Sequence, residues 1–284
     1  MGEGRVGTAG TAGIAGIAAT PGTPATPGTL RVERAAPIGR LILDNPSRRN
    51  AISDAMWRAI PGALAELQAD PAIRCIVLRG AGTVSFAAGA DISQFEERRS
   101  SEAGVREYEA QIDAAHKSIE DSQKPVIALI HGFCVGGGLA LALSCDLRYA
   151  GASSKFAIPA ARLGLGYGLG GTNRLVATVG HAAAREIMFS ARRYGADEAR
   201  EMGLVNRVLP DAELDEFVHR LAMEIAANAP LTIAASKSII NAVIATDAAR
   251  TDAEKLVARC MASEDYAEGR KAFMEKRAPA FKGK

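Results

Sequence analysis

The sequence predicts an α/β fold with a parallel sheet and a helical C-terminal third. Three observations predict it. Cys75 to Arg79 (CIVLR) and Pro125 to Ile130 are short, branched apolar runs with the length of buried strands. Segments with helical apolar spacing lie between such runs, so strand and helix alternate. From Asp211 onward the pattern is almost wholly helical, with breaks near Pro230 and Thr251.

Taken in order, Leu30 to Glu33 and Gly39 to Leu43 read as two strands of a hairpin joined through Arg34 to Pro37. Asp44-Asn45-Pro46-Ser47 is a turn. Ser53 caps a helix reaching about Ala69, and Met56, Ile60, Leu64 and Leu67 mark its inner face. Pro61 is awkward inside that helix because it lacks a donor. Asp70-Pro71 ends it, and Gly80 to Thr83 ends the next strand. Glu102 to Glu120 reads as a helix with Val105, Tyr108, Ile112 and Ile119 on one side. Leu147 to Ala150 and Lys155 to Ile158 are strand candidates. Thr172 reads as the cap of a helix through Val179, followed by helices at His181 to Phe189 and Ala196 to Met202. Leu204 to Val208 reads as a strand, and no segment reads as a domain linker.

Composition narrows the function classes. The chain has 284 residues, 48% of them apolar, enough for one large domain or two modest ones. Its 34 basic and 32 acidic residues leave a net charge of +2, without the polybasic surface of a nucleic-acid binder. Cys75, Cys134, Cys145 and Cys260 lie in or beside apolar segments without metal-ligand spacing. Buried free thiols in a reducing compartment, the cytoplasm, are expected. The four histidines do not pair at metal spacing, so no metal site is expected. Pro125 to Cys145 is uncharged and long enough to raise the question of a membrane span. Its His131, Ser144 and glycines favour strand, turn and buried helix, and no membrane partner is expected. Residues 1–29 are mostly Gly, Ala, Thr and Pro in near-repeats and read as a disordered tail.

Two stretches carry the candidate chemistry. Gly132, Gly136, Gly137 and Gly138 crowd between the strand ending at Ile130 and the apolar helix run from Leu139 to Leu143. Such a turn either packs tightly or aims free N–H groups at a ligand oxygen. Phe86-Ala87-Ala88-Gly89-Ala90-Asp91-Ile92 similarly follows a strand. Two bare strand ends can place two N–H donors on one carbonyl oxygen, the arrangement of an oxyanion hole, and the sequence permits that geometry. A GxGxxG match at Gly166, Gly168 and Gly171 lacks the adjoining strand and the acidic residue of a dinucleotide site. His131, at the mouth of the glycine turn, reads either as a packed neutral histidine or as a ligand contact.

Beyond the tail, residues 30–284 resemble the enoyl-CoA hydratase/isomerase (crotonase) family. The resemblance rests on LDNPSRRNAI at 43–52, FAAGADI at 86–92, GFCVGGG at 132–138 with Cys145-Asp146, LGGTNRL at 169–175, Gly203-Leu204-Val205 and EGRKAFMEKRAPAF at 268–281. It implies the ClpP/crotonase-like spiral of repeated ββα units with a helical C-terminal region. It implies a core at 30–210 that binds acyl-CoA, with 211–284 serving oligomerisation as trimers or paired trimers and covering CoA. The substrate it implies is an acyl-CoA thioester; coenzyme A enters as part of it, and no permanent cofactor is implied. By motif position the two oxyanion-hole amides fall on Ala90 and Gly137. Arg48 and Arg49 lie where the family often contacts the CoA phosphates, and Ala88 where backbone meets the adenine or pantetheine arm. Phe273 and Lys276 belong to the segment that closes over CoA in a neighbouring subunit.

The departures from the family pattern are as informative. Hydratases of the family carry one glutamate two residues after the GGG and another after the proline that follows the third motif strand. Here those positions are Ala140 and Ala160. Alanine can neither deliver nor accept a proton. The aspartate of dienoyl-CoA isomerases falls on Gly168. Tyr167, near the implied acyl pocket, either donates a proton or shapes the cavity. Asp91, Glu96, Glu97, Glu109 and Asp113 are the substitute acids to weigh. The resemblance therefore implies an enoyl-CoA hydratase-like lyase, or an isomerase, decarboxylase or thioesterase with relocated acids, or a non-catalytic acyl-CoA binder.

Overall fold

The computed structural model describes residues 28–91, 102–163, 165–243, 255, 258–259, 262–275 and 277–284. The tail read at residues 1–29 lies outside them except for Gly28 and Thr29, and Thr29 already belongs to the first strand.

Strands β1 (Thr29–Ala35) and β2 (Ile38–Asp44) form the expected antiparallel hairpin. Helix α1 (Asp54–Ala69) starts where Ser53 accepts a hydrogen bond from the Met56 amide. Pro61 lies inside it. The buried stripe of Met56, Trp57, Ile60, Leu64 and Leu67 holds the helix against the lost donor.

Three ββ pairs follow, and they build the spiral. β3 (Cys75–Gly80) leads to β4 (Ser85–Ala87), β5 (Val126–Ile130) to β6 (Phe133–Val135), and β7 (Leu147–Gly151) to β8 (Lys155–Ala157). The first strand of each pair joins one sheet and the second joins another. β10 (Arg207–Leu209) completes the larger sheet, in the order β1-β2-β3-β5-β7-β10, and β9 (Tyr194–Gly195) the smaller, β4-β6-β8-β9. All pairings from β2 to β10 in the larger sheet are parallel. Helices α2 (Glu102–Glu120), α3 (Gly137–Ser144) and α4 (Leu169–Ser190) follow β4, β6 and β8 in the chain.

Period-two alternation divides β5 between two cores. Val126, Ala128 and Ile130 face the main cluster with Trp57, Phe86 and Leu139. Ile127 and Leu129 face a second cluster under α6 (Asp211–Ala226). Leu214 belongs to that cluster, and Phe217, Leu221 and Ile225 pack on it. This apolar stripe thus packs, at least in part, within the subunit.

Lys237, on α7 (Pro230–Ala242), ties the C-terminal region to the core. Its Nζ donates to the Ile119 carbonyl at 3.1 Å and to Asp146 Oδ2 at 2.9 Å. The free thiols of Cys75, Cys134 and Cys145 are buried. Burial pushes Cys75 and Cys145 up to about 12 and Cys134 well above its ordinary value. Among the described residues, no helix is long and apolar enough to cross a membrane.

Some boundaries differ from the sequence reading. Thr172 is not a cap: its amide donates to Gly168, which is the N-cap of α4. Gly180, at φ 73°, is non-helical and divides α4 into two helices, as the sequence suggests. Leu204 and Val205 are buried in a turn bonded to Ala199, and the strand begins only at Arg207. Helix α5 (Ala196–Glu201) precedes that turn, and α8 (Glu264–Glu275) lies near the C-terminus.

Candidate active site

Three strand ends meet at one place because β4, β6 and β8 run parallel and neighbour one another. The chain leaves each at the same edge of the small sheet. β4 delivers Gly89-Ala90, β6 delivers Gly136-Gly137, and β8 delivers Pro159-Ala160.

The first two ends nearly touch. A Cβ built on Gly137 stands 3.3 Å from the Ala90 nitrogen, and one built on Gly89 stands 3.9 Å from the Gly137 nitrogen. Gly89 has φ 110°, a conformation open to glycine and costly for other residues. Gly138 is required for a different reason: a Cβ there would lie 2.3 Å from the Ala87 carbonyl oxygen. That contact seats the start of α3 against the end of β4. Among the described residues, neither the Ala90 nor the Gly137 N–H has an acceptor. Gly137 is the first residue of α3, so its amide is one of the helix's unsatisfied donors. Two adjacent donors at a helix N-terminus suit an oxygen that gains negative charge.

The residues that follow these strand ends include two small apolar ones. Ala140 and Ala160 are both buried. Trp57 Cζ2 is 3.4 Å from the Cβ position of Gly137, and the Trp57 ring lies 5.5 Å from the ring of His116 on α2. His116 Nδ1 is 2.8 Å from Ser144 Oγ. The Ser144 Oγ is also 3.3 Å from the Ala140 carbonyl oxygen, which ties His116 to the helix that carries Ala140. Burial, reinforced by the positive charge of Arg174, pushes the His116 pKa down to about 3 and keeps the ring neutral. Arg174 itself pairs with Glu120, one turn beyond His116 on α2.

Tyr167 packs its partly buried ring on the main core cluster. Its Oη and the Trp57 Nε1 are buried with no partner among the described residues. Burial pushes the Tyr167 phenol up, against a smaller opposing pull from Arg174. Gly168 is the exposed N-cap beside it, with open space where a side chain would stand.

The other candidates separate. His131 continues the face of Ile127 and Leu129, away from Trp57 and Gly137, and its ring binds Asp215 on α6. The acyl-pocket reading of His131 is therefore corrected: strand periodicity turns it to the opposite side of the large sheet. Burial pushes the Asp215 carboxyl up, but the His131 hydrogen bond and Arg79 outweigh it and hold it below its ordinary value.

Arg48 Nη1 contacts both oxygens of Asp91, at 2.7 and 2.9 Å. Arg49 lies over the Phe133 ring, 4.6 Å from its centroid. The Ala88 amide donates to the Arg49 carbonyl, leaving the Ala88 carbonyl as the backbone group available there. Glu109 and Asp113 are solvent-exposed. Glu96, Glu97, Lys276 and the side chain of Phe273 lie outside the described residues. Among the described residues, no three His, Cys, Asp or Glu side chains are placed to hold a metal ion.

Sequence reading missed Trp57 as a neighbour of Gly137 and His116 as the group behind Trp57. The signal for His116 was present, because it falls between Ile112 and Ile119 on the inner face of α2.

Comparison with known proteins agrees with this architecture. The sequence model of the family described as Enoyl-CoA hydratase/isomerase matches residues 33–284. The chain is 34% identical over 248 residues to a short-chain-enoyl-CoA hydratase of Clostridium acetobutylicum, covering 87% of this chain and 94% of that one. It is 36% identical over 252 residues to a crotonyl-CoA hydratase of Syntrophomonas wolfei, covering 88% and 96%. A solved structure from Magnetospirillum magneticum, described as an enoyl-CoA hydratase/carnithine racemase, superposes with a TM-score of 0.84. That protein shares 36% identity, over 90% of this chain and 96% of its own. With the matched segment spanning the whole spiral, the chain belongs to the enoyl-CoA hydratase/isomerase family.

Proposed function

We propose that this protein binds acyl-CoA thioesters and stabilises an enolate-like oxyanion through the amides of Ala90 and Gly137, without the two-glutamate hydration machinery. The observation that carries this reading is the close approach, at the ends of β4 and β6, of two N–H groups with no acceptor among the described residues. When a bond at the α carbon breaks, its electron pair moves toward the thioester oxygen, and the two donors hold the resulting charge. Ala140 and Ala160 offer no acid or base to position water. Isomerisation, decarboxylation or thioester hydrolysis is favoured over hydration on that account. Tyr167, a protonated phenol, is the nearby candidate for a proton donor.

The supporting relatives bear hydratase names, so the decisive test is crotonyl-CoA hydration. The natural protein should bind the thioester and hydrate it slowly. Restoring both acids, Ala140→Glu with Ala160→Glu, should raise the rate by about 10² to 10⁴ per proton transfer recovered. Rapid hydration by the natural protein refutes the reading.

We also propose self-association as a trimer or paired trimers in a reducing compartment. Leu163, Leu169, Phe189, Ile240 and Val243 support it as large apolar side chains left at least two-thirds exposed. Light scattering that shows a monomer at all protein concentrations overturns it.

A further inference from the structure

Resting on the oxyanion reading above, we propose that Arg48 and Asp91 form a positioning pair that sets the direction of the Ala90 N–H. In a trans peptide the carbonyl of one residue and the amide of the next point in opposite directions. The Gly89 carbonyl accepts from the Ile52 amide at 2.8 Å. The Ala90 N–H, in the same plane, therefore points away from residues 49–52, and Gly137 is its neighbour on that side.

Two further backbone bonds clip the same segments together. The Ala88 amide donates to Arg49 at 3.0 Å, and the Asp91 amide donates to Ile52 at 3.0 Å. Residues 49–52 thus act as the template for residues 88–91. The template is itself pinned, because buried Asn50 donates to the Ser85 carbonyl at 2.6 Å and accepts from the Asn45 amide. Upstream of the critical peptide lies Gly89, with positive φ and no side chain to hold it. The plane must therefore be held from downstream, and Asp91 is the next residue. Its carboxylate is only one-tenth exposed and is gripped by Arg48 through both oxygens. Arg48 sits at the end of the short 3₁₀ turn Pro46–Arg48, on the template side. The pair thus adds a side-chain clasp to the three backbone bonds.

A half-exposed arginine in such a pair contributes little to folding, so variants should remain folded. Its effect should appear in geometry, because a donor displaced by a fraction of an ångström stabilises the oxyanion less.

The test uses 4-(dimethylamino)cinnamoyl-CoA, whose absorption moves to longer wavelength when its thioester carbonyl is polarised. The matching pantetheine thioester, which lacks the nucleotide phosphates, serves as the second probe. With both probes the natural protein should produce a red shift on binding. Arg48→Ala and Asp91→Asn should bind the pantetheine probe within severalfold of the natural protein yet lose most of the shift. Arg48→Lys should restore part of it. An unchanged shift in the two disrupting variants overturns the inference. So does a loss confined to affinity for the CoA probe, which assigns Arg48 to phosphate contact alone. If the natural protein binds the probes with no red shift, the oxyanion reading itself falls.

Discussion

Replacing His116 with glutamine should flatten the acid limb of the stability curve. The imidazole is buried against Trp57 and Ser144, and its pKa falls from 6.5 to about 3 in the fold. Between those values the unfolded chain binds a proton that the native state refuses. Stability from this group is therefore complete above 6.5 and is lost as pH falls toward 3. The slope is about 1.4 kcal/mol per pH unit once the unfolded imidazole is protonated. Between pH of about 6.5 and about 5 the loss is about 2 kcal/mol, before most carboxylates begin to titrate. Glutamine keeps a polar group opposite Ser144 but does not titrate. Urea unfolding followed by circular dichroism at pH of about 7, 6 and 5 gives the comparison. The gap between natural and variant stability should shift by about 2 kcal/mol over that range. Other histidines and carboxylates cancel in the difference. A constant gap refutes the argument, as does an NMR titration that finds the His116 midpoint at its ordinary 6.5.

Three further predictions concern packing. Lys237→Met removes the cation from Asp146, which is about a quarter exposed and keeps the Val126 amide as a donor, and should cost about 1–3 kcal/mol; a melting temperature equal to that of the natural protein counts against this. Gly138→Ala drives a methyl group into the Ala87 carbonyl and should abolish polarisation of a bound thioester probe. Gly62→Ala, at a helix site with no atom within 4 Å, should instead stabilise by up to about 1 kcal/mol; equal effects from the two would contradict the close-approach argument.

The parts of the fold visible in the sequence were those written in local periodicity. The α1 stripe from Met56 to Leu67 and the branched run of β5 are examples, and both appear within a residue or two of their expected bounds. The short strands β4, β6 and β9 were not visible. Two or three residues carry no period, and those strands exist only because neighbours supply their hydrogen bonds. The glycine stretches announced the site, but not why three strand ends converge, which is a property of parallel pairing in the second sheet. His131 shows the converse limit. It stands one residue from a glycine of the site, yet strand alternation sends its ring to α6. The bond between Arg48 and Asp91 spans 43 positions and has no local signature.

The three buried thiols provide a built-in clock for the opening of the molecule. Only a thiolate reacts at an appreciable rate with an alkylating reagent. Cys75 and Cys145, raised to about 12, and Cys134, raised well above its ordinary value by burial, remain thiols at neutral pH. Each reacts only when its surroundings part. They occupy separate places: Cys75 in the large sheet, Cys134 in the small sheet, and Cys145 at the C-cap of α3, the helix that begins with Gly137. Pulsed alkylation read peptide by peptide therefore times the exposure of the two sheets and of that helix separately, with no residue introduced. Equal rates would show that the spiral opens as one unit. A faster Cys134 would show that the small sheet parts first, taking the two amides out of register while the large sheet still stands.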